Sequence, residues 1–573
     1  MTKQLFNSGW SFALKKIGEK PEAGDYRPVD IPHDWLIHNT RALYADGDGC
    51  YKKIFTVNEI EGRVYILRFD GVYMDSEILL NGERIFEWKY GYTTFDVELK
   101  GLREGENVIE VIVHHKSPNT RWYSGAGIFR NVWLTVSGED RIVPDGTYFC
   151  ADLDGDRWAV GIDTEAVGSG EAVIRHTLSD REGHTVKTAE KPCVLTSEVA
   201  RVNQSFWVDN IRCWDIDDPY LYTLKTEVIK GGESVYERVE RVGFKTVKFT
   251  TDDGFFLNGR WVKIHGACMH HDMGALGSAV NKNAIRRQLE IMKGMGVNSI
   301  RTSHNPPAPE LMELADEMGI MIDSEAFDMW ELKKTDYDYA RFFKEWHERD
   351  VRSWVRRDRN HASVIMWSIG NEIYDTHASP HGVEITEELK RCVRIDDYNV
   401  KFPVTIGSNY MQWEGAQNCA EHIDTVGYNY TERLYDEHHA KHPDWIIYGS
   451  ETASTIQSRG VYHFPAAKLG TTHDDHQCSS LMNCATGWGS VSAEYNITQD
   501  RNHKFCLGQY IWTAFDYIGE PTPYWTKNSY FGHIDTAGFP KDTYYAYRAE
   551  WLGDKAEPFV HLLPHWDFNE GQL

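Results

Sequence analysis

The sequence lacks the features that mark membrane and secreted proteins. No apolar run approaches the roughly 18 residues that a membrane span needs, and the N-terminus has no continuous apolar stretch before a small-residue cleavage site. The ten cysteines form neither a CxxC pair nor a regular framework, which excludes a small disulfide-held module and predicts reduced, mostly buried thiols. We therefore expect a cytoplasmic protein without a membrane partner.

The sequence is also poor in positive charge. It carries 61 Lys and Arg against 86 Asp and Glu, a formal net charge of −25. Nucleic acids and anionic membrane surfaces are bound through basic faces, so this balance argues against either as the main partner. Aromatic residues are abundant instead, at 13% of the 573 residues. They pack sheets and line sugar-binding clefts, and packing in a β-rich protein would account for most of them.

The first 245 residues have the pattern of β-sandwiches. Short β-branched and aromatic runs such as 64–69, 107–113 and 132–136 alternate with turn dipeptides such as Asn81-Gly82. No run of ten or more residues has a convincing helical pattern. The length predicts two sandwiches, and the polar stretch 137–140 is a suitable boundary between them.

After residue 247, apolar runs alternate with amphipathic helices, as in βα units around a parallel sheet. Helices are predicted over 283–295 and 309–318, each ending before a glycine. No Gly-rich phosphate turn of an open doubly wound sheet is present, so a (β/α)₈ barrel fits better. Its eight predicted strands are 262–265, 299–302, 320–323, 364–368, 403–406, 425–428, 445–448 and 508–512.

Two carboxylates lie where such a barrel carries its active site. Glu372 follows predicted strand four and Glu451 follows strand seven, at the C-terminal rim. Facing carboxylates are what glycoside hydrolysis requires. On position alone, both could instead be acids that stabilise helix N-termini. Other rim candidates are His270, His271, His304, Asp323, Glu325, Tyr430, Trp512 and Asp516.

Four motifs together resemble glycoside hydrolase family two, which contains β-galactosidases, β-glucuronidases and β-mannosidases. They are residues 123–133 (YSGAGIFRNVW), 299–307 (SIRTSHNPP), 371–372 (NE) and 449–452 (GSET), in the family's order. The resemblance implies a jelly-roll sugar-binding domain at 1–138, an immunoglobulin-like sandwich at 139–246 and a catalytic (β/α)₈ barrel at 247–573. In similar β-galactosidases a further sandwich follows the barrel, so we expect a partial chain in which that domain begins near 559.

The resemblance also assigns roles. Glu372 matches the general acid/base of a retaining enzyme, and Glu451 matches the nucleophile that forms a covalent glycosyl-enzyme. The charge of Glu451 is then expected to keep Glu372 protonated until that intermediate forms. The residues implied as supporting or sugar-binding are Arg301 and Tyr430 beside the nucleophile, Asn371 at the sugar 2-hydroxyl, His270, His304 and Trp512 in the sugar pocket, and Asn119 and Arg121 reaching over from the first domain.

Departures from the family pattern bear on metal and substrate. The Glu-x-His pair of magnesium-dependent members is missing from 325–331 (EAFDMWE), so we expect no metal or other cofactor. The segment 473–478 (HDDHQC), with Cys484 beyond it, fits no standard zinc spacing and is interpreted as loop packing.

The loop 526–542 resembles that of the β-galactosidases and lacks the Asn-x-Lys pair that β-glucuronidases use in this loop. The hypothesis is an exo-β-galactosidase whose partner is a small β-glycoside or oligosaccharide. Lys527 and Lys541 near this loop keep a β-uronidase open. A catalytically silent carbohydrate-binding protein and a homo-oligomer also stay open.

Overall fold

The structure is a computed structural model that describes residues 1–465, 470–482, 484, 492–522, 526–555 and 557–564. Its N-terminal part is a β-sandwich of two antiparallel sheets, with strand orders β1-β10-β5-β8 and β3-β2-β4-β9-β6-β7. The strands are β1 (Thr2–Leu5), β2 (Trp10–Lys15), β3 (Arg27–Val29), β4 (Gly47–Val57), β5 (Val64–Phe69), β6 (Ser76–Leu80), β7 (Glu83–Trp88), β8 (Phe95–Glu98), β9 (Gly105–His115) and β10 (Val132–Ser137).

Strand β9 illustrates why this sequence forms a sandwich. Its residues alternate between buried and half-buried positions, and Ile109, Val111 and Val113 point into the core between the sheets. A side-chain period of two places one face of a strand in the core, and β-branched residues suit that position.

A second sandwich follows, with strand orders β11-β12-β15 and β14-β13-β16-β17. Its strands are β11 (Arg141–Asp154), β12 (Arg157–Val167), β13 (Gly170–Ser179), β14 (Thr185–Leu195), β15 (Ala200–Val208), β16 (Tyr222–Lys230) and β17 (Glu233–Val242). The predicted boundaries 138/139 and 246/247 fall between β10 and β11 and just before β18 (Val247–Phe249), which pairs with β19 (Phe255–Leu257) and β20 (Arg260–Trp261). We keep them as a proposed division into domains.

The C-terminal part is a closed parallel barrel, and the predicted fold class is confirmed. Its strands are β21 (Ile264–Met269), β22 (Ser299–Thr302), β23 (Met321–Glu325), β24 (Val364–Asn371), β25 (Val404–Ser408), β26 (Thr425–Asn429), β27 (Ile447–Ala453) and β28 (Gly508–Trp512). Six of them end later than the apolar runs predict. Several of the added residues are polar, among them Glu325, Asn371, Ser408 and Asn429, so the apolar runs do not mark where these strands end.

The helices outside the barrel are α1 (Lys282–Met295), α2 (Pro309–Met318), α3 (Ala340–Asp358), α4 (Asp375–Ala378), α5 (Gly382–Asp396), α6 (Glu414–Ala420), α7 (Tyr435–Lys441), α8 (Ala493–Asn502) and α9 (Asp542–Leu552). The Asn281 side chain caps α1, and Gly296 ends it at φ 99°. Gly319 ends α2 at φ 70°, a conformation that glycine adopts without strain. A short hairpin, β29 (Tyr517–Ile518) with β30 (Asn528–Ser529), follows the last barrel strand.

Single 3₁₀ turns complete the secondary structure at Ala23–Asp25, Gly274–Leu276, Glu432–Leu434 and Gly553–Lys555. None of the described helices is long and apolar enough to cross a membrane. The expected start of a further sandwich near 559 lies partly outside the described residues, which end at 564.

The first sandwich is docked directly on the barrel. Arg130, fully buried, donates hydrogen bonds to the carbonyl oxygens of Pro306 (2.8 Å) and Pro307 (3.1 Å) in the loop after β22, and to that of Tyr92 (2.8 Å) in its own domain. Tyr90 donates to the carbonyl of Ala326, just after β23. This contact brings the loop that carries Arg121 to the mouth of the barrel.

Candidate active site

The two candidate carboxylates lie at the C-terminal edge of the barrel. Glu451 is inside β27 and is 3% exposed, whereas Glu372 directly follows β24 and is 9% exposed. Glu372 has φ 47°, a left-handed conformation that is strained for a residue with a side chain. Its backbone N–H donates to the carbonyl of Gly407 on the neighbouring strand at 2.7 Å. The turn at the end of β24 therefore fixes the position of the Glu372 side chain.

Glu451 has a strong donor on each carboxylate oxygen. Arg301, fully buried on β22, donates from Nη1 to Oε1 at 2.8 Å, and the Tyr430 hydroxyl donates to Oε2 at 2.7 Å. The predicted pairing of Arg301 and Tyr430 with this carboxylate is present in the structure. Such charge-assisted bonds hold the carboxylate in one orientation.

The same guanidinium also serves a second buried carboxylate. Glu325, at the end of β23, accepts from Arg301 Nη2 at 2.6 Å, from Ser368 Oγ at 2.6 Å and from His304 Nδ1 at 2.6 Å. Burial raises the pKa of Glu451 to about 7 and that of Glu325 to about 8, although Arg301 opposes both shifts. One arginine between two carboxylates does not fully offset their desolvation.

Glu372 belongs to a different ion-pair network. Arg121, from the first sandwich, donates from Nη1 to Glu372 Oε2 at 3.2 Å and forms a two-point contact with Asp328 at 2.7 and 3.1 Å. Lys334 pairs with Asp328 at 2.8 Å, and Glu520 lies 3.9 Å from Arg121. Burial alone would raise the pKa of Asp328, but Arg121 and Lys334 lower it to about 2. An aspartate that is ionised at neutral pH therefore shares Arg121 with Glu372.

Two asparagines connect the networks. Asn371 Oδ1 accepts from Arg301 Nη2 at 2.9 Å and from Asn429 Nδ2 at 3.0 Å, while its own Nδ2 donates to Asp328 at 2.9 Å. Asn429 Nδ2 also donates to Glu372 Oε1 at 3.2 Å. A continuous chain of hydrogen bonds thus runs from Glu451 through Arg301, Asn371 and Asn429 to Glu372.

Aromatic and imidazole rings form the wall beside Glu451. The rings of His304 and Trp512 are stacked, with centroids 5.3 Å apart, and His270 meets Trp512 edge-on at 5.2 Å. Burial holds the pKa of both histidines well below the usual range, so both are neutral. Neither ring nitrogen of the buried His270 has a hydrogen-bond partner among the described residues. A hydroxyl-rich ligand could satisfy them.

The structure brings together every predicted site residue except Asn119. The Asn119 side chain is 4% exposed and bonds to Tyr73, His115 and the carbonyl of Lys116, all within the first sandwich. We find no contact between it and the carboxylates in the described part of the chain. Arg121, from the same loop, does bond to Glu372. The contact of these two residues with the sugar stays a prediction.

Sequence reasoning missed Asp328, Lys334, Asn429 and Glu520. Asn429 could have been found, because it ends a barrel strand directly before Tyr430. Asp328, Lys334 and Glu520 lie in loops, and only their ion pairs identify them. Of the other rim candidates, Asp516 pairs with Lys541 at 2.6 Å, Asp323 accepts from the Tyr448 hydroxyl and His271 bonds to the Ser124 carbonyl.

The segment with the superficial zinc pattern is packed within its own loop. Cys478 and Cys484 are buried, the Cys478 thiol contacts the carbonyl of Thr471, and the His473 ring stacks on His463 at 4.1 Å. His463 in turn pairs with Asp475 at 2.9 Å. These contacts fit the interpretation as loop packing.

Comparison with known proteins identifies the family. Residues 248–500 match the model of the TIM barrel domain of glycosyl hydrolases family 2, and residues 145–245 match a further model of glycosyl hydrolases family 2. The chain is 38% identical to beta-galactosidase BoGH2A of Bacteroides ovatus, over 99% of this chain and 74% of that protein. It is also 25% identical to a beta-glucuronidase of Bacteroides fragilis, over 97% of this chain and 82% of that protein.

A solved structure agrees with these matches. The crystal structure of a beta-glycosidase from Bacteroides vulgatus superposes with a TM-score of 0.89 at 30% identity, covering all of this chain and 77% of that one. The match includes both sandwiches and the barrel. The chain therefore belongs to glycosyl hydrolase family 2 and is a β-glycosidase.

Proposed function

We propose that this enzyme removes terminal β-D-galactosyl residues with retention of configuration, with Glu451 as the nucleophile and Glu372 as the acid/base. The observation that carries the proposal is the hydrogen-bonded chain that joins these two carboxylates at the barrel rim. Retaining glycosidases use two carboxylates about 5–5.5 Å apart, one on each side of the scissile bond. Arg301 and Tyr430 support Glu451 in the orientation that attack requires.

In the first step, a Glu451 oxygen bonds to the anomeric carbon as the bond to the aglycone oxygen breaks, and Glu372 gives its proton to that oxygen. Glu372, now a carboxylate because it has given up its proton, takes a proton from the attacking water and so acts as the base. The water oxygen replaces Glu451 at the anomeric carbon, which releases the sugar and restores both carboxyls. Two inversions give net retention.

The charges around the pocket favour a neutral sugar. Arg301 is paired with Glu325 and Glu451, Arg121 with Asp328 and Glu372, and Lys334 with Asp328. A sugar carboxylate would have to displace one of these acids. The neutral imidazoles of His270 and His304 suit hydroxyl groups, and the 38% identical relative is a beta-galactosidase.

A β-uronidase is the second candidate, because a beta-glucuronidase is among the relatives. Lys527 and Lys541, the two lysines that could bind a sugar carboxylate, both have other partners. Lys541 is 2% exposed and paired with Asp516, and the Lys527 ammonium bonds to the carbonyl of Thr40. Both lysines have partners in the described residues, and this favours the galactoside.

The test is a panel of nitrophenyl β-glycosides, with galactoside, glucuronide, galacturonide, glucoside, mannoside and fucoside. We expect the highest kcat/KM with the galactoside, and formation of the β-anomer of galactose as the first product by NMR. Preference for a uronide would overturn the galactoside proposal. An α-anomer as first product would overturn the retaining mechanism.

A further inference from the structure

An exposed group of aromatic rings lies beside the candidate acid/base, and we call it the aromatic platform. It consists of Tyr374 and His377, which follow β24, and Tyr410 and Trp413, which follow β25. Tyr410 and Trp413 are stacked, with centroids 5.2 Å apart and planes at 20°, and His377 lies 3.8 Å from Tyr410 and 4.7 Å from Trp413. Tyr374 extends the group, at 6.4 Å from Tyr410.

The platform is open to solvent although its members are large rings. Trp413 is 47% exposed and Tyr374 is 39% exposed. In the core, by contrast, rings such as Trp330, Trp354 and Trp367 are fully buried. A contiguous exposed aromatic surface at the mouth of an enzyme barrel is characteristic of a ligand-binding surface.

The platform is next to Glu372. Tyr374 is two residues after Glu372. The Lys334 ammonium lies 5.8 Å from the Tyr374 ring and donates to the carbonyl of Asn371. Burial and the charge of Glu372 together raise the pKa of Tyr410 to about 12.

The position of the platform beside Glu372 indicates which part of the substrate it binds, and this inference rests on the proposed function. The acid donates its proton to the oxygen of the leaving group, so the leaving group must lie on the Glu372 side of the scissile bond. We infer that the aromatic platform binds the aglycone, and that this aglycone is a sugar of an oligosaccharide whose C–H faces stack on Trp413 and Tyr374. The rings of Tyr and Trp have a flat apolar face and a polar group at the edge. A pyranose likewise has an apolar C–H face and hydroxyl groups at its edge, so the two surfaces are complementary.

The experiment isolates the aglycone site from the first chemical step. The enzyme is trapped as its glycosyl-enzyme with 2,4-dinitrophenyl 2-deoxy-2-fluoro-β-D-galactoside, and activity is followed as cellobiose or methanol accepts the sugar. With the wild type, the rate of reactivation should saturate with cellobiose concentration. Methanol is too small to stack and serves as the acceptor that does not use the platform.

We expect Trp413→Ala to raise the half-saturating concentration of cellobiose about tenfold, which corresponds to 1.4 kcal/mol. Trp413→Phe, which retains a ring, should raise it less, and reactivation by methanol should be unchanged in both variants. The matched control is Trp207→Ala, because Trp207 is 43% exposed but lies in the second sandwich. Unchanged thermal unfolding of Trp413→Phe would show that folding is intact.

The outcomes separate the two proposals. A half-saturating concentration that is equal in wild type, Trp413→Ala and Trp413→Phe would overturn the aglycone platform, as would a wild-type rate that never saturates with cellobiose. Failure of the fluorinated galactoside to trap the wild type would instead contradict the proposed function, before any acceptor is added.

Discussion

The two sides of the barrel mouth differ in how they are built. The groups that bond to Glu451 come from barrel strands or the residues that directly follow them, and Arg301 among them is fully buried. The first sandwich adds the ring of Trp122, which lies 5.0 Å from His270 and 5.5 Å from His304. The groups around Glu372 come from loops, from the end of β26, which contributes Asn429, and from the first sandwich, which contributes Arg121. The Glu372 side chain is 11% exposed and its partner Arg121 is 30% exposed, against 4% and 0% for Glu451 and Arg301.

The difference matches what the two carboxylates must do under the proposed mechanism. A nucleophile needs one orientation throughout, and strands of a closed barrel provide the most rigid support. An acid/base must exchange protons with a leaving group and with water, so it must remain accessible. We infer that the barrel alone supplies the groups that bond to Glu451, whereas the set of groups that bond to Glu372 is complete only when the first sandwich is docked.

The largest effect should come from removing each carboxyl in turn. Glu451→Gln should lower kcat by at least about 10⁴-fold on every substrate, since no covalent intermediate can form. Glu372→Gln should lower it by about 10²–10⁴-fold on a methyl galactoside, the range of general acid catalysis. With a dinitrophenyl leaving group, which departs without a proton, glycosyl-enzyme formation in Glu372→Gln should be nearly as fast as in wild type.

Steady-state and burst kinetics on the two substrates distinguish these roles. Equal losses for both leaving groups in Glu372→Gln would remove the acid/base assignment. Turnover by Glu451→Gln at the wild-type rate would remove the nucleophile assignment, and the comparison between the two sides would lose its basis.

The second prediction concerns pH dependence and Arg301. Glu451 must be ionised to attack, and its pKa is about 7, so kcat/KM should fall as the pH drops through about 7. Arg301 stabilises the ionised form, so Arg301→Gln should move this acid limb to higher pH. At pH 7 we expect kcat/KM to fall by about 10²-fold, because one pKa unit costs about 1.4 kcal/mol and the orienting bond is lost too. An acid limb that stays in place in Arg301→Gln would contradict the assignment to Glu451.

The sequence allowed the fold to be predicted because each part has a distinct local pattern. The period-two alternation in β9 is a local signal that predicts a sandwich strand. The amphipathic patterns that end at Gly296 and Gly319 are local signals that predict the helices of the barrel. The strand ends were harder to predict. Asn371 and Asn429 at two strand ends bond to each other, and Arg301 bonds to both Glu325 and Asn371. Such long-range pairing leaves no mark on a local apolar pattern.

The site was predicted best at the ends of the barrel strands. Glu372, Glu451 and Arg301 follow or end apolar runs, and the family motifs contain all three. Asp328 and Glu520 lie in loops. They belong to the site because they lie beside the guanidinium of Arg121, which is more than 190 residues away in sequence. Asn119 bonds only within the first sandwich among the described residues, and a loose match in a loop does not show which of two polar side chains bonds to the barrel residues.

The third prediction tests the contribution of the first sandwich. Arg121 is the direct contact between that domain and Glu372, so Arg121→Gln should lower kcat/KM by about tenfold, in the range for loss of a hydrogen bond to a charged group. The acid limb set by Glu451 should remain at the wild-type pH, since Arg301 and Tyr430 are untouched. Arg103→Gln is the control, because Arg103 is an exposed arginine of the same domain. A shifted acid limb in Arg121→Gln would mean that the two sides are not independent.

The smallest effect on activity should come from the docking contact itself. Arg130 is fully buried, burial lowers its pKa to about 10, and its guanidinium binds carbonyl oxygens of both the sandwich and the barrel. Arg130→Gln leaves some of these carbonyls unpaired, at a cost of about 1–3 kcal/mol each, so the thermal midpoint should fall by several degrees. Arg121 would lose only part of its support, and kcat/KM should fall about two- to threefold. A lower midpoint with an unchanged kcat/KM would show that Arg121 keeps its position without this contact. The groups that bond to Glu372 would then depend on the docking of the first sandwich no more than the groups that bond to Glu451 do.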